Sequence, residues 1–159
     1  MKTAVFSLAY HPFVGGAEVA VKEISRRLSN WNFSIFTNRF DRAWPALERI
    51  ENSEVIRVGA GEASKNYYGR PWEKIAYVFR AWRAAERAHK GQPFTAIWAI
   101  MASYGGLAAL IFKLRHPRVP FLLTIQEGDS EAHILKRVGI LYPLWRMIFK
   151  KADHVQVIS

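Results

Sequence analysis

The stretch Tyr10–Leu28, "YHPFVGGAEVAVKEISRRL", directly follows an apolar run at Thr3–Ala9, "TAVFSLA". It places two adjacent glycines, Gly15 and Gly16, where a strand would end and a helix begin. Glycine lets a ligand approach the main chain closely, and the first turn of a helix presents unpaired N–H groups with a partial positive charge. The stretch therefore predicts either a phosphate-binding turn or a tight strand-to-helix turn without a ligand.

The rest of the chain repeats this alternation of apolar run and helical period, which is typical of βαβ units and a parallel sheet. Strands are predicted at Thr3–Ala9, Asn32–Thr37, Glu54–Val58, Thr95–Met101, Pro120–Gln126 and His154–Ile158. Helices are predicted at Gly16–Ser29, Pro71–His89, Gly105–Arg115 and Glu131–Lys151. Because Gly139 and Pro143 interrupt the last of these, we expect two helices there, the second starting near Pro143.

These elements predict an α/β fold with a doubly wound, Rossmann-like parallel sheet of about six strands. Right-handed crossovers place the strands most simply in the order 3-2-1-4-5-6. Ligands of such sheets bind outside the carboxyl ends of the strands, beside strand 1, where the loop Tyr10–Gly16 lies. The longest irregular connections are predicted at Asn38–Ser53 and Gly59–Arg70, and loops of this kind often contact ligands.

The composition restricts the class of protein. The chain has 159 residues, half of them hydrophobic, which predicts one globular domain with a full core. It has no cysteine, so disulfides, thiolate metal sites and a cysteine nucleophile are excluded. The longest apolar run, "GGLAALIF", is too short to cross a bilayer, and the N-terminus lacks a secretory signal. We expect a cytoplasmic protein, either soluble or peripheral on the inner face of the cell membrane.

The charge is the second compositional feature. A net charge of +10 and a pI near 10.2 favour anionic partners, although a solvated basic surface explains the same excess. Aromatic and basic residues mix in Pro71–His89, as in a nucleic-acid-binding stripe. At helical spacing, however, four apolar residues of this segment form a predicted core face: Ile75, Val78, Phe79 and Trp82. Likewise, Ile134–Lys151 is either an interfacial helix on anionic lipid or a core-facing helix with a basic back.

Three other chemistries are disfavoured by the spacing of their residues. The adjacent glycines do not form the G-x-G-x-x-G fingerprint, and the second strand ends in Thr37 and Asn38 rather than an acidic residue. Ser103 stands between a strand and a helix, as a nucleophile does, but Met101 occupies a position where that turn needs a small residue. The five histidines lack metal-binding spacing, so no metal site is expected.

Four stretches, in order along nearly the whole chain, resemble the N-terminal domain of family 4 glycosyltransferases, which have the two-domain GT-B fold. They are "HPFVGGAEVAVKEISRRL", "FSIFTN", "FLLTIQEGD" and "KKADHVQVIS". The resemblance implies a retaining transfer of a hexosyl unit from a nucleotide sugar to a glycan or lipid-linked acceptor, without a metal or other cofactor. It also implies that residues 1–159 are the acceptor-side half of such an enzyme, without the C-terminal nucleotide-sugar domain.

The same resemblance assigns roles to individual residues. It implies that the first turn contacts the donor diphosphate or the acceptor, and we assign the approach to the donor phosphate to Gly15 and Gly16. The strand equivalent to Leu122–Gln126 commonly ends in histidine in this family, and Gln126 stands there in this chain. We therefore assign Gln126 the catalytic role of orienting a sugar, since an amide can hydrogen-bond a hydroxyl but does not titrate near neutral pH. The acceptor-side candidates are Glu18, Tyr104 and Glu127.

The end of the chain bears on this interpretation. Ser159 follows the last predicted strand and is of a residue type that often caps a helix, so we expect a further helix beyond it. We also expect this chain alone to lack transferase activity. The alternative function is a non-catalytic basic module that binds anionic membrane surfaces or nucleic acid. A downstream domain with the family's Glu-x7-Glu motif would decide for the enzyme.

Overall fold

The computed structural model describes residues 1–61, 71–126, 139 and 142–157. Its strands are β1 (Lys2–Phe6), β2 (Asn32–Asn38), β3 (Leu47–Ile50), β4 (Ser53–Val58), β5 (Ala96–Ile100), β6 (Phe121–Ile125) and β7 (His154–Val157). Its helices are α1 (Gly16–Arg27), α2 (Pro71–Gly91), α3 (Tyr104–Arg115) and α4 (Tyr142–Lys151). The predicted second half of Glu131–Lys151 is thus a separate helix, and the first half lies outside the described residues.

The strands form one sheet in the order β3-β4-β2-β1-β5-β6-β7. Every neighbouring pair is parallel except β3 with β4. Without β3, the strands follow one another as 3-2-1-4-5-6, so the predicted topology is confirmed. The α/β, doubly wound fold class is confirmed with it, and the carboxyl ends of β1, β5 and β6 lie next to each other.

The prediction of about six strands missed β3. This strand lies inside Asn38–Ser53, which was expected to be irregular, and it pairs with β4 through a turn in which Glu51 has a φ of 53°. Its four residues, "LERI", are too few for a periodic signal. Its charged side chains suit the exposed edge of a sheet, because charge there discourages pairing with another chain.

The sheet separates two apolar layers. Side chains that alternate along β1 face opposite sides. Ala4 and Phe6 belong to a large cluster beneath α2, α3 and α4, whereas Val5 belongs to a smaller cluster beneath α1. The large cluster holds the stacked rings of Phe6 and Phe36, whose centroids are 5.4 Å apart. Fully burying each such side chain contributes about 1.5–3 kcal/mol, so burial in this cluster is a major source of stability.

Helix α2 turns a different face to the core from the one predicted. Its buried residues are Tyr77, Val78, Ala81 and Ala85. Val78 is placed correctly and Trp82 is partly buried, but Ile75 and Phe79 are 53% and 49% exposed, so their prediction as core residues was wrong. Small alanines let α2 pack closely against α3, and Tyr77 donates its hydroxyl to the Phe36 carbonyl at 3.0 Å. Hydrophobicity alone ranks isoleucine and phenylalanine above these alanines.

A buried lysine joins α3 to the last described strand. Lys113 Nζ donates to Asp153 Oδ2 at 2.7 Å and to the Val119 carbonyl at 2.8 Å. Asp153 also accepts the Phe121 N–H at 2.7 Å. The hydrogen bond from Lys113 is the main cause that lowers the pKa of Asp153. These bonds hold the start of β7 against β6 and thereby fix the edge of the sheet.

Among the described residues, no helix is both long and apolar enough to cross a membrane.

Candidate substrate-binding site

The first turn of α1 and the end of β6 meet at the carboxyl edge of the sheet. A Cβ added to Gly16 would lie 3.1 Å from Gln126 Nε2. Gly16 is exposed and Gln126 is partly exposed, so both face solvent at this edge. The two residues are 110 positions apart in the sequence. The structure therefore brings the predicted glycine turn and the predicted sugar-orienting amide to one place.

The start of α1 keeps its amides available. Gly15 caps the helix with an extended backbone and no side-chain cap hydrogen bond, and its carbonyl accepts the Val19 N–H at 3.0 Å. The Glu18 carboxylate folds back to the position where a Cβ on Gly15 would lie. A negative charge is favourable at a helix N-terminus, so Glu18 occupies the side near Gly15, whereas the Gly16 side faces Gln126.

The turn from β5 to α3 lies between Gly16 and Gln126 along this edge, because β5 stands between β1 and β6 in the sheet. Met101 has a φ of 70° there, which is uncommon for a residue with a side chain, and its carbonyl accepts the Gly106 N–H at 3.2 Å. Tyr104 begins α3. Lys74 Nζ of α2 lies 5.9 Å from the Tyr104 ring centroid. Tyr104 thus lies at the same edge, beside a basic residue, while Glu127 lies outside the described residues.

A hydrogen-bonded chain fixes the strand that ends in Gln126. Trp98 Nε1 donates to Thr124 Oγ1 at 2.8 Å, and the Thr124 hydroxyl donates to Gln156 Oε1 at 3.1 Å. Trp98 and Thr124 are both buried. Because these three residues belong to β5, β6 and β7, the chain holds β6 in register two residues before Gln126.

Sequence reasoning missed Arg57. It lies on β4, where Ser53, Val55 and Arg57 point inward in alternation, and its side chain is buried. It reaches the loop between β1 and α1, where it donates to the carbonyl of His11. A charged residue in an inward position of an alternating strand was the available signal. The neighbouring Tyr10 is also buried, and burial raises the pKa of its hydroxyl, which therefore stays neutral.

A cleft of about 510 Å³ lies at the amino ends of the strands, away from this edge. It is lined by Lys2, Asn32, Asn52 and Gln92, among others. Lys2 Nζ already donates to Gln92 at 3.0 Å. Asn52 Nδ2 donates to the Ser25 carbonyl of α1 and to the Trp31 carbonyl just before β2. These side chains are engaged in holding the fold, so we place the substrate site at the carboxyl edge instead.

The histidine, aspartate and glutamate residues do not gather into a metal site in the part of the chain that is described. No group of three or more of them could hold a metal ion there.

Comparison with solved structures supports the fold. One chain of sucrose-phosphate synthase from Thermosynechococcus elongatus is similar with a TM-score of 0.64 and 18% identity, over 100% of this chain and 77% of that one. Another chain of sucrose-phosphate synthase from the same organism has a TM-score of 0.64 and 17% identity, over 97% of this chain. This protein spans only 41% of that second chain. At these identities the likeness shows the fold.

Comparison with sequences identifies the family. The curated proteins contain no match to this chain. The sequence profile of the glycosyl transferase 4-like domain, in contrast, matches residues 15–159. That range starts at the glycine turn and includes Gln126. The resemblance to the N-terminal domain of family 4 glycosyltransferases is confirmed, together with the Rossmann-like half of a GT-B fold, and the chain belongs to the glycosyl transferase 4-like domain family.

Proposed function

We propose that this chain is the acceptor-binding half of a nucleotide-sugar-dependent glycosyltransferase. The whole protein would transfer a hexosyl unit, with retention, to a glycan or lipid-linked acceptor, and a C-terminal domain would hold most of the nucleotide. One observation carries the proposal: Gly16 and Gln126 meet at the ligand-binding edge of a doubly wound sheet. A Cβ added to Gly16 would lie 3.1 Å from Gln126 Nε2.

The proposal gives each residue a physical task. Gly16 leaves room for a diphosphate or sugar to reach the N–H groups of α1, whose partial positive charge favours an anion. Glu18 lies over Gly15. Its carboxylate is therefore suited to accept hydrogen bonds from hydroxyl groups of the acceptor substrate rather than to contact phosphate. A phosphate that contacts Gly15 requires Glu18 to move aside. Gln126 Nε2 donates to a sugar oxygen beside Gly16.

The leaving diphosphate needs charge stabilisation in the transition state. Preorganised N–H dipoles and cationic side chains supply it in a site from which water is excluded. The α1 N-terminus lies at this edge, and Lys74 lies nearby on α2 against Tyr104. We therefore propose that the donor and acceptor suffice and that neither a metal nor a further cofactor takes part.

Gln126→Ala tests the role of the amide. One neutral hydrogen bond contributes about 0.5–1.5 kcal/mol, and more where a buried partner is left unpaired, so we expect kcat/KM of the whole protein to fall roughly tenfold. Consumption of nucleotide sugars in the presence of candidate acceptors, followed by chromatography, measures the loss. Because an amide does not titrate near neutral pH, the variant should leave the pH dependence of the rate unchanged in shape.

The matched control is Gln92→Ala, at the amino end of the strands, where Gln92 accepts from Lys2. It should keep the wild-type rate. Full activity in Gln126→Ala, with a detectable reaction in the wild type, contradicts the role of Gln126. The absence of any transfer by the whole wild-type protein, across the donors and acceptors tested, counts against a glycosyltransferase and in favour of a binding module.

We further propose that the protein attaches peripherally to the anionic inner face of the cell membrane. The basis is the outer side of α2 and α4, which pack on the same side of the sheet. Trp72 and Phe79 on α2 and Leu144 on α4 are exposed apolar residues of these helices, and Lys150 and Lys151 at the end of α4 are exposed basic residues. Trp145, Ile148 and Phe149 of α4 pack against the core instead. Val138 and Leu141, which belong to the predicted segment Ile134–Lys151, lie outside the described residues.

Lys150→Gln combined with Lys151→Gln tests the membrane surface. A basic residue close to an anionic bilayer contributes about 1 kcal/mol, so the double variant should bind phosphatidylserine-containing vesicles roughly 30-fold more weakly. Vesicle flotation at increasing salt measures the binding. Arg26→Gln with Arg27→Gln on α1, in the opposite layer, is the control of equal charge. Equal losses in both double variants, or binding that ignores anionic lipid and salt, would refute the assigned surface.

A further inference from the structure

A buried arginine holds the loop that leads into the glycine turn. The Arg57 side chain is 1% exposed. Its Nη2 donates to the His11 carbonyl at 2.7 Å and to Glu48 Oε2 at 2.6 Å, and its Nη1 donates to the Pro45 carbonyl at 3.0 Å. One guanidinium thus joins β4, the segment before β3, and the loop between β1 and α1.

The hydrogen bond from Arg57 to His11 lies in the middle of the loop between β1 and α1. Upstream, the Leu8 carbonyl accepts the Asn38 N–H at 3.0 Å and the Thr37 hydroxyl at 3.2 Å. Those bonds fix the exit from β1. His11 lies between that exit and Gly15, four residues before the helix cap, so the bond from Arg57 holds the middle of the loop that leads into α1.

Stability alone does not explain a buried guanidinium in this place. Arg57 Nε finds no hydrogen-bond partner among the described residues, and neither does the buried Nδ1 of His11. The Glu48 side chain is 34% exposed, so it is only partly desolvated, whereas burying the Arg57 charge costs free energy that offsets much of their attraction. The bonds of Arg57 to two backbone carbonyls instead specify a backbone conformation.

We propose that Arg57 is a positioning residue that sets the conformation of the loop 10–15 and thereby orients the Gly15–Gly16 turn toward substrate. The inference rests on the proposed function of that turn. A guanidinium suits the task because its donors form a planar fork that serves acceptors in fixed directions, whereas a lysine ammonium is a single flexible point charge. Glu48 of the edge strand β3 accepts a second hydrogen bond from the same nitrogen, Nη2.

Three variants of the whole protein separate positioning from simple ion pairing. Arg57→Met removes every bond to the loop, Arg57→Lys retains the charge but not the fork, and Glu48→Gln removes the ion pair while the His11 bond persists. We expect Arg57→Met to speed amide hydrogen exchange at least tenfold at Phe13 and Val19, whose N–H groups donate to the Tyr10 and Gly15 carbonyls, and to shift the amide resonances of Gly15 and Gly16. Glu48→Gln should leave both near wild type, and Arg57→Lys should lie between.

The kinetic readout follows the same order. We expect kcat/KM to fall about tenfold or more in Arg57→Met and much less in Glu48→Gln. Unchanged exchange at Phe13 and Val19 in Arg57→Met overturns the proposal. Equal exchange in Arg57→Met and Glu48→Gln also overturns it, because the ion pair would then explain the effect. If Arg57→Met does not fold, wild-type exchange in Arg57→Lys overturns it in the same way. Altered exchange with unchanged transfer leaves Arg57 as the residue that orients the turn, and it refutes the turn as the substrate site.

Discussion

Replacing Gly16 by valine should lower kcat/KM of the whole protein by about 100-fold or more, the size of effect seen when one preorganised donor to developing charge is lost. The valine side chain would fill the space before the first N–H groups of α1, and its Cβ would lie 3.1 Å from Gln126 Nε2. It would therefore block approach to the backbone and displace the amide together. Steady-state transfer with a nucleotide sugar and acceptor measures the loss.

Folding should survive this substitution. Gly16 is exposed, its φ lies outside the left-handed region, and the neighbouring atom that must move is the end of a flexible side chain. Valine has a somewhat higher helix propensity than glycine, so the melting temperature should not fall below that of the wild type. Gly91→Val, at the exposed end of α2, is the control, because a Cβ added there would have no atom of another part of the described chain within 4 Å. Wild-type transfer by Gly16→Val would show that the glycines form only a tight turn.

Replacing Gly105 by valine should prevent stable folding. A Cβ at this position would lie 2.8 Å from the Phe6 carbonyl oxygen and 2.8 Å from the Ile100 carbonyl oxygen. Both oxygens belong to the backbone of the central strands β1 and β5, so neither can move without disturbing the sheet. Overpacking in a core costs about 1–3 kcal/mol and sometimes more, and valine adds two methyl groups beyond this Cβ.

Gly105→Ala provides the measurable case. At about 3 kcal/mol of destabilisation, a domain of this size should melt roughly 6–12 °C lower. Thermal unfolding followed by circular dichroism, with Gly91→Ala as the control that meets no neighbour, gives the comparison. Equal melting temperatures for Gly105→Ala and the wild type would mean that α3 does not approach the sheet as closely as described.

Local patterns were sufficient for the parallel strands and their helices. The apolar runs at β1, β2, β4, β5, β6 and β7 differ from the predicted strands only at their ends. The central strands β1 and β5 are buried on both faces and must therefore be almost wholly apolar, and the helices between parallel strands need a 3.6-residue period. Gly15 and Gly16 likewise predict the turn from the sequence alone.

Local patterns failed where a contact rather than a period decided the outcome. The strand β3 depends on its pairing with β4, and the inward face of α2 depends on the close approach of α3 to Ala81 and Ala85. The buried state of Arg57 depends on carbonyls supplied by His11 and Pro45. The Pro45 and His11 carbonyls lie 12 and 46 residues from Arg57 in the sequence, so no short-range period indicates them.

The amino-acid sequence by itself determined the α/β class, the strand order 3-2-1-4-5-6, the glycine turn at the start of α1 and the family resemblance, because short-range periodicity and a contiguous motif encode each of them. Only the tertiary structure decided that Gln126 stands beside Gly16, that Glu18 folds over Gly15, and that Arg57 donates to the loop between β1 and α1. These contacts join residues that are brought together when the sheet closes, and their distances follow from the packing of whole elements rather than from any local preference.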